Sequence, residues 1–186
     1  KPVAEAGDNV TISVKVPVNA TGQVNIKVNG QDNLVNVTDG YANLTLKDAK
    51  PGDYPVVVKY LGDSNYNASA ENTDSFTVNK MATGMNATPI VHLDNSVTIY
   101  VELDESINDG NVTVLINGTS YNATIKHGVA TIEIPTLTNG TYDVDVVFSG
   151  NHDFESVTKP VHFVVESLAN TTMDVEITTP TEYGNH

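Results

Sequence analysis

The chain contains no cysteine, which excludes a disulfide framework, a catalytic thiol and a Cys-ligated zinc. Arginine is missing too: all nine basic residues are lysine, against 23 Asp and Glu, for a net charge of −14. Without an arginine cluster or basic stripe there is no electrostatic footprint of a nucleic-acid binder, and the acid excess disfavours anionic membranes. No apolar run approaches the ~18 residues of a transmembrane helix, so this segment is not expected to insert into a membrane. No leader or sorting motif is present, and the chain reads as a piece of a mature protein. No nucleophile motif occurs. The five histidines (His92, His127, His152, His162, His186) are scattered without metal-ligand spacing. No catalytic or cofactor-binding residue is assigned, and no enzyme activity is expected.

What is present is a repeat. The stretch Gly52–Tyr66, GDYPVVVKYLGDSNY, returns 88 residues later as GTYDVDVVFSGNHDF, Gly140–Phe154. Each copy alternates strictly from its tyrosine: Tyr54, Val56, Val58, Tyr60 and Tyr142, Val144, Val146, Phe148. Period-2 alternation bounded by turn residues marks a half-buried β-strand. The same alternation runs through Val10–Val16, Val24–Val28 and Ala42–Leu46, and again through Val97–Leu103, Val112–Ile116 and Ala130–Ile134. Asn29-Gly30, Asp39-Gly40 and Asn117-Gly118 are hairpin dipeptides, and His127-Gly128 stands where the second copy needs another. Val35 and Val37 make a short strand, assigned as strand D of an immunoglobulin-type sandwich, while residues 1–8 read as extended and turn-like. No segment is helical. About seven short strands per copy, with turns every 8–12 residues, imply an all-β chain of two tandem immunoglobulin-like antiparallel sandwiches.

Tyr54 and Tyr142 each follow a glycine-centred turn at the start of a strand. That is the position of a tyrosine corner, whose hydroxyl bonds backbone just upstream. Val56 and Val144 stand where antibody domains place the second cysteine, so aliphatic packing replaces the disulfide pin.

Together, GDYPVVVKYLGDSNYNAS, the strand VTISVKV and the 88-residue period resemble the group-3 bacterial Ig-like domains stacked in adhesin-like cell-surface proteins of methanogenic archaea. The resemblance implies fold and context and carries no catalytic residues. It sets an Ig-like domain at 1–79 lacking its own strand A and a second at 80–166. Residues 167–186 then hold the strand A and A–B turn of a following repeat, with Met173 matching Met85 and Pro180 matching Pro89. Two readings of this phase stand: a fragment of a longer array, or a fibre subunit in which 167–180 complements the first domain of another molecule. On the second, 167–180 is expected in a β-ladder rather than hanging free.

Eleven of the 21 asparagines open the sequon N-x-S/T, where 32 Ser and Thr among 186 residues would give about four by chance. They are Asn9, Asn19, Asn36, Asn43, Asn67, Asn86, Asn111, Asn117, Asn122, Asn139 and Asn170. They mark either a protein glycosylated on its way to the cell surface or a Thr/Asn-rich β surface. No cofactor is assigned; weak Ca²⁺ candidates are Asp63, Asn65 and Asp94, as ligands between domains. The expectation is an extracellular, adhesin-like stalk or fibre segment at the cell surface. Its partners would be neighbouring repeats or subunits of the same protein and an unidentified surface or glycan ligand. The alternative is a carbohydrate-binding or accessory module of an extracellular enzyme, with Tyr41, Tyr100 and Tyr121 as its few stacking candidates.

Overall fold

Alternating inward and outward side chains need a second sheet to cover the inward face, and the chain supplies it twice. The computed structural model describes residues 1–167 and 171–181. Its strands are β1 (Val3–Glu5), β2 (Val10–Lys15), β3 (Gln23–Val28), β4 (Leu34–Asn36), β5 (Tyr41–Leu46), β6 (Gly52–Tyr60) and β7 (Asn72–Asn79). There follow β8 (Asn86–Val91), β9 (Val97–Glu102), β10 (Asn111–Ile116), β11 (Thr119–Thr124), β12 (Val129–Ile134), β13 (Gly140–Phe148) and β14 (Val157–Val165). The described residues contain no helix.

Two cores form. In the first, the sheet β1-β7-β6-β3-β4 packs on the pair β2-β5; in the second, β11-β10-β13-β14 packs on β12-β9-β8. Sharp reversals sit where the dipeptides demand left-handed backbone: Asn117 and Gly118 have φ of 50° and 80°, closing β10 directly onto β11 with Ile116 opposite Thr119. His127 and Gly128 do the same at 50° and 74°. A Cβ on Gly128 would stand 2.5 Å from the Asp104 carbonyl oxygen, so this turn admits only glycine.

Three elements differ from expectation. β4 is not a strand D, which in an immunoglobulin sheet would pair beside β5; it pairs with β3, in the sheet of β6 and β7. β11 is a full six-residue strand in a stretch not assigned as one, with Tyr121 and Ala123 packed on the core. The opening segment is not merely extended: Val3–Glu5 runs parallel to β7, with Val3 opposite Thr77.

The two domains are unequal on one side. In the second, β8 pairs antiparallel with β9, and Val97, Ile99 and Val101 are fully buried. In the first, β2 pairs only with β5 among the described residues, and its counterpart residues Val10, Ile12 and Val14 are only partly buried. Among the described residues of the C-terminal segment, 171–181 form no strand and are exposed.

Candidate functional site

The corner tyrosines sit at the start of β6 and β13. The Tyr54 hydroxyl donates to the Lys50 carbonyl at 2.5 Å, and the Tyr142 hydroxyl to the Thr138 carbonyl at 2.7 Å. Each ring stacks on the aromatic directly opposite it on the neighbouring strand: Tyr54 on Phe76 at 4.7 Å, Tyr142 on Phe163 at 5.2 Å. Each tyrosine thus ties the loop before its strand to the strand after it.

Asp63 caps the far end of β6. One carboxylate oxygen accepts the Asn65 and Tyr66 amides at 2.7 and 2.6 Å; the other accepts the Thr21 amide at 2.7 Å and its hydroxyl at 3.1 Å. Its repeat counterpart Asn151 accepts the Asp153 and Phe154 amides with its oxygen and donates its NH₂ to the Asp109 carbonyl at 3.0 Å. The acid-to-amide change therefore tracks its partner. Where the upstream loop offers an N–H, the anchor is a carboxylate; where it offers a carbonyl, the anchor is an amide. Both clamp the loop after the long strand to the loop that leads into β3 or β10.

These hydrogen bonds, the Thr21 amide foremost, hold the Asp63 carboxyl far below the usual carboxylate range, while partial desolvation pushes the other way. A depressed folded value contributes stability above the unfolded pKa near 4, lost as pH falls toward the folded one. Acidification far below pH 4, toward that depressed folded value, is therefore expected to strip hydrogen-exchange protection from the Thr21, Asn65 and Tyr66 amides. The Asp153 and Phe154 amides, held by an amide that does not titrate, should keep theirs. A pH series of amide exchange rates checks this.

The Ca²⁺ candidates are not brought together. Asp63 and Asn65 lie at the end of the first domain away from its neighbour. Asp94 sits in the β8–β9 turn, where its carboxylate accepts the Ser96 amide and hydroxyl and its carbonyl accepts from Thr136. That turn lies at the end of the second domain opposite the junction, not beside the junction. Among the described residues no three His, Asp or Glu side chains converge on a common point. The three stacking candidates are likewise separate: Tyr41, Tyr100 and Tyr121 belong to strands of three different sheets.

The junction is short and hydrogen-bonded. β7 ends at Asn79, and the Met81 amide donates to the Asp153 carbonyl while the Glu155 amide donates to the Met81 carbonyl, both at 2.8 Å. Met81 thus makes a one-residue parallel bridge onto Phe154 of the second domain, and Lys80 alone separates it from the last strand of the first. Farther along, the Thr83 hydroxyl accepts the Asp104 amide. Pro51, Asp53 and Lys80 face His152 and Glu155 across the resulting groove.

All ten sequon asparagines among the described residues are exposed, at strand positions such as Asn36, Asn43 and Asn122 and at turns such as Asn19 and Asn117. Asn170 lies outside the described residues.

Two packed sheets per unit, a short hydrogen-bonded connection and paired tyrosine corners define the class as tandem immunoglobulin-like sandwiches. Residues 1–79 match the family model for the bacterial Ig-like domain (group 3). No curated protein sequence gives a significant match. Among solved structures, the fibronectin(III)-like modules of CbhA from Clostridium thermocellum are 17% identical at a TM-score of 0.39, covering 89% of this chain and 90% of theirs. A tetra-tandem repeat from the extending region of a large adhesion protein is 16% identical at 0.47, covering 89% and 48%. The SGBP-B protein of the Bacteroides ovatus mixed-linkage glucan utilization locus is 15% identical at 0.33, covering 84% and 42%. The chain therefore spans less than half the length of the last two. Identity this low concerns fold and not function. The matched family is a bacterial one, and the expected methanogen origin finds no support among these comparisons.

Proposed function

We propose that this chain is a non-catalytic, extracellular spacer: a glycosylated stalk segment of an adhesin-like surface protein that holds a binding element away from the cell. One observation supports this above the others. With Met81 bonded into the second domain one residue after Lys80, the connection has almost no free chain. Stacked domains joined this tightly make a semi-rigid rod. The exposure of every described sequon asparagine suits a glycan coat, since a transferase needs an accessible side chain. The carbohydrate-binding alternative needs a shared aromatic platform, and the separate placement of Tyr41, Tyr100 and Tyr121 weighs against it.

The junction supplies the test. Met81→Pro removes the amide that bonds Asp153, and two glycines inserted after Lys80 lengthen the free chain. The native chain is expected to show one rotational correlation time for both domains by NMR relaxation. In the double variant the two domains should tumble separately, with each domain's melting temperature unchanged. Independent tumbling in the native chain would remove the rod, and with it the reason to read a spacer. Mass spectrometry of protein from its native source tests the glycan coat site by site.

A further inference from the structure

One sheet face differs between the two domains, and the differences are complementary. In the first domain the side of β3 and β6 away from the core carries Lys27, Val57 and Lys59, with Lys27 directly opposite Val57. Shifting β6 by 88 residues onto β13 sets Asp145 in the place of Val57 and Val147 in the place of Lys59. The same shift carries β3 onto β10, so Leu115 takes the place of Lys27; it follows Val114, which pairs with Val146, and so stands beside Asp145. At all three positions one domain is charged where the other is apolar.

Leu115 is 63% exposed and Val147 36%, and they share a shallow groove with Asp143 and Asp145. Lys59 and Asp145 make no ion pair among the described residues. Lys27 lies near Asp32, and Asp143 near His162, but all four side chains stay well exposed. Exposed apolar groups flanked by carboxylates fit a partner that brings apolar surface and cations together. The face of the first domain does so, with Val57 beside its two lysines.

Overall charge points to the same partner. Residues 1–79 hold six lysines against nine acids, residues 80–166 three against eleven. Two second domains would set aspartate against aspartate, and two first domains lysine against lysine; a first on a second sets lysine against aspartate. Repulsion between the net charges is screened beyond about 8 Å at physiological ionic strength, so the touching faces decide.

A chain cannot bring its own two faces together, because Lys80 alone separates β7 from the Met81 bridge. Four strands about 4.8 Å apart and about six residues long make a face of roughly 380 Å². One pair of faces buries about 760 Å² in total, short of the roughly 1,200 Å² of a stable interface, whereas two pairs bury about 1,500 Å². A two-fold antiparallel arrangement supplies two. The sheets that carry the faces adjoin at the junction, where Asp53 and Thr77 line one groove with His152 and Glu155. Sequons on these faces stand on the edge strands and at the head of β10, at Asn36, Asn122 and Asn111, while β6 and β13 carry none.

We infer that two copies of this chain pair side by side and antiparallel, the Lys27–Val57–Lys59 face of each seated on the Leu115–Asp145–Val147 face of the other. The pairing does not depend on the spacer reading. That reading is tested at the junction and the pairing at these faces, so either can fail alone.

Sedimentation equilibrium of the chain made without glycans provides the test. Native chain is expected to show a monomer–dimer equilibrium with nothing larger. Lys59→Glu and Asp145→Lys should each weaken the dimer about tenfold or more, because each altered contact occurs twice per pair. An equimolar mixture of the two variants should regain native affinity as a heterodimer, which holds one native contact and one with its charges exchanged. Both residues are exposed, so each variant should melt as the native monomer does, separating lost pairing from lost folding. Native chain that stays monomeric at millimolar concentration, oligomers that grow past the dimer, variants that pair as tightly as native, or a mixture no tighter than its components would each overturn the assignment.

Discussion

Heated as a dilute monomer, the chain is expected to unfold in two steps, with the domain of residues 1–79 going first and up to about 15 °C below its neighbour. The difference traces to one missing neighbour strand. Val97, Ile99 and Val101 are fully buried under β8, whereas Val10, Ile12 and Val14 keep one flank in water. Fully burying an aliphatic side chain is worth about 1.5–3 kcal/mol, so three that remain partly exposed forgo at most about 3 kcal/mol together. For domains of this size each kcal/mol moves the midpoint by about 4–8 °C. The buried cluster of the first domain is also the smaller one, with Ala20, Ala42 and Ala49 among its members. Calorimetry resolves the order, and exchange protection lost first in β2 and β5 assigns the lower step. A single coincident transition, or the second domain melting first, would contradict this account.

The second large effect concerns Phe148. Its ring is fully buried, lies on the inward face of β13 and sits under Gly110, where a Cβ would come within 3.0 Å of its edge. Replacing it with alanine removes a large apolar group from a site closed on all sides. Such substitutions cost about 3–5 kcal/mol, because the walls relax only in part. That loss is about equal to the advantage β8 confers on the second domain. Phe148→Ala is therefore expected to draw the two calorimetric transitions together into one, leaving the lower midpoint where it was. A persistent gap of the native size would show that this ring does not anchor the core. The counterpart Tyr60 carries the same burial but spends its hydroxyl on the Thr21 carbonyl at 2.6 Å, so the two positions are alike in packing and different in polarity.

Much of this architecture is legible in one dimension. A two-residue period needs only the chain's own sequence to place inward faces, and asparagine–glycine pairs announce their left-handed turns locally. What escapes is whatever depends on a distant partner. The strand at Leu34–Asn36 has the alternation of any strand, and only its pairing with β3 reveals which sheet it joins. Thr119–Thr124 carries just Tyr121 and Ala123 as inward residues, too weak a pattern to register although the preceding hairpin turn requires a returning strand. The acid–amide exchange between Asp63 and Asn151 looks like loss of a shared site. Its logic sits 42 residues upstream in both copies, in whether Thr21 donates or Asp109 accepts. Asp94 was expected near the domain boundary because it is close in sequence; β8 carries it to the opposite end.

The parallel pairing of β1 with β7 has a consequence for a protein under tension. A pull that separates the Lys1 end from the Asn79 end drags these two neighbouring strands in opposite directions. Val3, Ala4 and Glu5 then slide against Thr77, Val78 and Asn79. Their hydrogen bonds lie across the direction of pull, so they must rupture as a group rather than unzip one at a time. The domain that is weaker to heat thus carries a shear clamp at the point where load enters it.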